Sequence, residues 1–75
     1  MTLGDLARNQ KAIIKELPND VNIATQLLEQ GFVPSAEISL AHKAPWNGPM
    51  AFRVDNTKVT LGQRIAKLIE VDFIL

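Results

Sequence analysis

Residues 36–61 read AEISLAHKAPWNGPMAFRVDNTKVTL, and their hydrophobic period is two. Ile38, Leu40, His42 and Ala44 fall on one face of the first run, with Glu37, Ser39, Ala41 and Lys43 on the other. Met50, Phe52 and Val54 then alternate with Ala51 and Arg53. After the turn at Asp55-Asn56-Thr57, Val59 and Leu61 form one side of a third run. Alternation of this kind marks half-buried strands, and turns leading straight from one strand to the next make them an antiparallel meander.

The flanks supply the remaining elements. Upstream, KAIIKEL (11–17) reads as a first strand, preceded by Leu3 and Leu6 three residues apart. Asp20 is a good N-cap for VNIATQLLEQ (21–30), where Ile23, Leu27 and Leu28 fall at helical spacing beside Ala24. Gly31 stands where a helix C-cap glycine belongs, and Phe32 after it is placed to plug the core. Downstream, GQRIAKLIEVDFIL predicts a helical turn over 62–67 and a strand over 68–72. The apolar end VDFIL either completes a sheet edge or adds to another subunit's edge. The sum is a mainly β chain with one or two short helices. So small a sheet hides its edges by curling, which gives a small SH3-like β-barrel with the helix at one end.

Length and composition narrow the uses. The 75 residues are expected to form one domain, residues 1–75, without a cysteine to staple it. Stability of roughly 4–11 kcal/mol must come from the apolar 47% of the chain. Eight basic residues balance eight acidic ones, and the cations are scattered singly. That balance argues against nucleic acid, including the RNA-binding barrels of ribosomal proteins, and its weak mutual repulsion favours self-association. No apolar run approaches the ~18 residues of a membrane span, and the N-terminus lacks a signal-peptide pattern, so a cytoplasmic protein is expected, with no direct membrane insertion.

Catalysis finds little to work with. The chain has one histidine and no nucleophile elbow, phosphate loop or dinucleotide fingerprint. Nothing in the pattern converges the acids Glu16, Asp20, Glu29 and Glu37. The expectation is therefore no enzyme and no cofactor. His42 is the one weak metal-ligand candidate; the plainer reading packs it at a strand end with a local hydrogen bond.

The stretch KAPWNGPM (43–50) holds the chain's only tryptophan between Pro45 and Pro49. Asn47-Gly48 is a strong hairpin signal, but Pro49 has no N–H to close a tight two-residue turn. A wider, stiff and protruding loop is expected. On it, Trp46 either folds back over Phe52 or Met50 as a lid, or stands out as an aromatic docking anchor. In the second case the contact surface is Pro45, Trp46, Asn47 and Pro49, with Met50 and Arg53 beside them.

Taken in order, LLEQGFVPSAEISLAHKAPWNGPMAFRVDNTKVTL resembles the FeoA family. Leu27, Gly31, Phe32 and Pro34 match its first block, Ala44, Pro45 and Pro49 its second, and Ile69 and Val71 its last. LARNQKAII (6–14) looks like its opening. Departures are Ser35, Asn9, Asn47 and Asn56 at glycine positions, and Gly62 in place of an arginine, with Arg64 two residues on. Asparagine keeps left-handed turns available; Ser35 does so less readily. The resemblance implies an SH3-like barrel serving bacterial ferrous iron uptake, docking on the cytoplasmic domain of a membrane iron transporter that carries a GTP-binding domain. The alternative is a peptide-binding SH3-like domain of the type found at the C-terminus of metal-dependent transcriptional repressors.

Overall fold

A computed structural model describes residues 1–74. Five strands, β1 (Lys11–Glu16), β2 (Glu37–Lys43), β3 (Met50–Val54), β4 (Thr57–Leu61) and β5 (Glu70–Phe73), form one antiparallel sheet in the order β4-β3-β2-β1-β5. Helix α1 (Val21–Glu29) joins β1 to β2, a single turn α2 (Gln63–Ala66) joins β4 to β5, and a 3₁₀ turn (Leu3–Asp5) precedes β1.

The meander follows the alternation of its sequence. Ile38, Leu40, Met50, Phe52, Val54 and Leu61 are all buried, and the register pairs Ile38 with Val54 and Leu40 with Phe52. The β3–β4 hairpin turns on Asp55 and Asn56, both with left-handed φ (49° and 65°), between the paired Val54 and Thr57. Such turns match the natural twist of the two strands. Residues from all five strands, α1, α2 and the 3₁₀ turn share one hydrophobic cluster, so the sheet wraps around its contents rather than lying flat. Phe32 and Phe52 sit at its centre, fully buried and edge to face at 6.3 Å and 87°.

The helix ends are closed as the sequence indicates. The Asp20 carboxylate accepts from the N–H groups of Asn22 (2.9 Å) and Ile23 (3.2 Å). At the other end Gly31 has φ +100°, its N–H donates to Leu28 O, and the Phe32 N–H donates to Leu27 O. This crossed pair terminates the helix and brings Phe32 over Leu27, both buried.

Four features differ from the sequence reading. Leu28 faces outward at 45% exposure, because the 3.6-residue period turns it away once Leu27 is buried. In β2 the register shifts between Leu40 and His42, so Ala41 is an extra residue and the alternation breaks. His42 therefore pairs with Ala51 instead of continuing the buried face, and it is exposed rather than packed. The last strand begins two residues later than the alternation suggests. Turn bonds from Leu68 N–H to Ile65 O and from Ile69 N–H to Ala66 O prolong α2, and Leu68 is left half exposed. VDFIL lies at a sheet edge as far as residue 74: Val71 pairs with Ile14, and the Ile74 N–H donates to Lys11 O, while Leu75 is outside the described residues.

Candidate docking surface

The loop between β2 and β3 is built by its backbone. Ala44 N–H donates to the Pro49 carbonyl (3.0 Å), closing a six-residue loop, and Gly48 N–H donates to the Pro45 carbonyl (3.1 Å). The turn inside is centred on Trp46 and Asn47, with φ of 55° and 60°. It therefore sits one residue earlier than the Asn-Gly dipeptide suggests, and the loop is wider, as the missing N–H of Pro49 requires. Gly48 is needed for close approach: a Cβ there would meet the Ala44 Cβ at 2.7 Å and the Pro45 carbonyl oxygen at 3.0 Å. Gln63 Nε2 donates to the Gly48 carbonyl (3.3 Å), tying the loop to the start of α2.

This frame holds Trp46 at 94% exposure. The lid over Phe52 or Met50 is not formed; both left-handed residues turn the indole away from the core. Pro45, Asn47 and Pro49 are exposed around it. Met50 is fully buried, so it supports the loop from beneath and has no surface to offer. Arg53 is exposed but sits three residues along β3, about 10 Å from Met50. It opens instead onto a small concavity of about 340 Å³ on the outer sheet face, lined also by Lys11, Glu37, Ser39 and Asp55. Trp46, Pro45, Asn47 and Pro49 are thus one group, and Arg53 is not part of it.

Beside the tip lies a larger groove, about 840 Å³, that the sequence reading missed. Ile23 of α1 meets Gln63, Arg64, Ile65, Lys67 and Leu68 there, and Asn47 of the tip loop closes one end. Residues so far apart in the chain leave no periodic trace of their meeting.

Among the described residues no three His, Asp or Glu side chains are grouped to hold a metal ion, and no helix is long and apolar enough to cross a membrane. His42 belongs to no such group, and no chemistry is assigned to it.

A curved five-stranded antiparallel sheet with short helices at its end and a presented loop defines a small SH3-like barrel. Over residues 1–72 the chain matches the FeoA domain family, and it belongs to that family. A relative from Campylobacter jejuni subsp. jejuni, named as an Fe(2+) transport protein A, is 34% identical over 74 residues, covering 99% of this chain and all of the relative. The solution structure of iron(II) transport protein A from Clostridium thermocellum superimposes with a TM-score of 0.93 at 35% identity; it is matched over 99% of this chain, which spans 46% of that one. FeoA of Stenotrophomonas maltophilia, solved with zinc and described as a prokaryotic SH3 domain protein, superimposes at 0.78 and 32% identity over 96% of this chain and 89% of its own. A manganese-dependent transcriptional repressor gives a TM-score of 0.89 at 15% identity, over 97% of this chain and 40% of the repressor. At that identity the likeness is one of fold alone. Membership of the family links the protein to ferrous iron transport.

Proposed function

We propose that this protein is a non-catalytic accessory of bacterial ferrous iron uptake, acting in the cytoplasm by docking on the cytoplasmic GTP-binding domain of a membrane iron transporter. The contact is made by the tip loop, with Trp46 as the anchor and Pro45, Asn47 and Pro49 around it. One observation carries the reading: an indole at 94% exposure, held on a left-handed backbone by a hydrogen-bonded loop. An aromatic side chain on a backbone fixed before contact has only two side-chain torsions left to order when it binds, which is what an interface anchor needs. Membership of an iron-transport family supplies the context for the partner.

The test is a titration of ¹⁵N-labelled protein with the isolated GTP-binding domain, with and without guanine nucleotide, following the Trp46 indole N–H. Docking through the tip shifts that resonance and the amides of 45–49, and dependence on nucleotide makes the protein a regulator. If no resonance moves at high partner concentration, that domain is not the target and the reading is lost.

A further inference from the structure

The groove beside the tip has a chemistry of its own. Its floor is apolar, from Ile23, Ile65 and Leu68, and its lining includes two cations, Arg64 and Lys67, and no carboxylate. Arg64 and Lys67 are three apart on the same turn, as are Ile65 and Leu68, so a cationic pair runs beside an apolar pair. Like charges at that spacing repel one another slightly. Neither cation is in an ion pair among the described residues, where the one pair is the Met1 ammonium with Glu70 Oε1 at 3.3 Å. The groove thus presents uncovered apolar surface and uncompensated positive charge together, continuous with the tip through Asn47 and through the Gln63–Gly48 bond.

Charge selects the occupant. A second copy of this chain, placed groove to groove, would bring both cationic pairs together and is disfavoured. A flat anionic membrane would gain little from two cations and would leave a concavity unfilled. A segment with an apolar stripe and carboxylates along its edge satisfies floor and rim at once, in the manner of a helix laid into a groove. We propose that the groove receives such an acidic amphipathic segment of a partner protein. This rests on the docking reading above and states what the partner brings to it.

Three synthetic peptides of about 14 residues, four helical turns, test the idea. They share a Leu/Ile stripe and differ only in carrying Glu, Gln or Lys along its edge. Titrated into the ¹⁵N-labelled full chain, the Glu peptide is expected to shift Ile23 and residues 62–68. The Gln peptide should bind about fivefold more weakly and the Lys peptide more weakly still, with the preference fading as salt rises. The variant R64E/K67E changes two exposed side chains, keeps its fold by circular dichroism, and is expected to reverse the order so that the Lys peptide binds best. Equal binding of Glu and Gln peptides overturns the proposal. So does a response of 62–68 to phosphatidylserine-containing vesicles but not to peptide. With the transporter domain, shifts confined to 45–49 uphold the docking reading and overturn the groove's part in it. A response of 62–68 to the Glu peptide alone, with none to that domain, upholds the groove and overturns the choice of partner.

Discussion

Trp46 is costly twice over. A left-handed backbone is unfavourable by about 1–2 kcal/mol for a residue with a Cβ, and an indole at 94% exposure recovers almost none of the burial that would offset it. Asparagine tolerates the same backbone far better, so Trp46→Asn is expected to raise stability by about 0.5–1 kcal/mol while abolishing the response to the transporter domain. Thermal unfolding by circular dichroism and the domain titration read the two effects separately. A loss of stability would mean the indole has a structural duty, and the case for an anchor would fail. Ser35 is the parallel case without the function. Its φ is +76°, a backbone that favours glycine, and its N–H donates to Ile14 O (2.8 Å). Ser35→Gly relieves the strain at some cost in unfolded-chain entropy, for a net gain of about 0.5 kcal/mol, or roughly 2–4 °C in Tm. Asn9, Asn47 and Asn56, at φ of 65°, 60° and 65°, hold left-handed positions as their chemistry allows.

At the scale of elements, what could be read in the chain was what local chemistry decides. Asp20 and Gly31 bound α1 because capping needs only the residues beside it, and the β3–β4 hairpin follows from Asp55-Asn56 and the alternation around it. Gly31→Ala should therefore cost about 1–2 kcal/mol, since φ +100° is closed to a Cβ; the loss is measured by denaturant midpoint at unchanged slope. A variant as stable as the parent would show that the crossed bonds from Gly31 and Phe32 do not set the helix end. The bulge at Ala41 was not legible, because it is fixed by pairing with β3 and not by the residues of β2. It moved His42 to the outside. The extra turn through Leu68 was hidden for a related reason: LIEVDFIL alternates well enough for a strand, and only the turn bonds to Ile65 and Ala66 favour the helical course. The tip was half legible. Pro49 foretold a wide loop, whereas the outward direction of Trp46 depends on where the turn is centred.

For the molecule as a whole, one cluster carries the fold, and the aromatic residues divide between two tasks. Phe32 and Phe52 fill the centre, while the only tryptophan is spent on the surface. Phe52→Ala is expected to remove about 3–5 kcal/mol, a large share of the roughly 4–11 kcal/mol available to a chain of this length. Its circular-dichroism melt should fall well below that of the parent. The same division predicts an optical silence. With Trp46 already in water, unfolding of the parent should proceed as a single transition in far-UV circular dichroism, while the tryptophan emission maximum hardly moves. In most small domains a lone tryptophan reports the loss of the core; here it should report the partner, shifting to the blue when the docking surface is covered. A large red shift on unfolding of the free protein would mean that the indole is sheltered in solution, and the tip would then have no anchor to present.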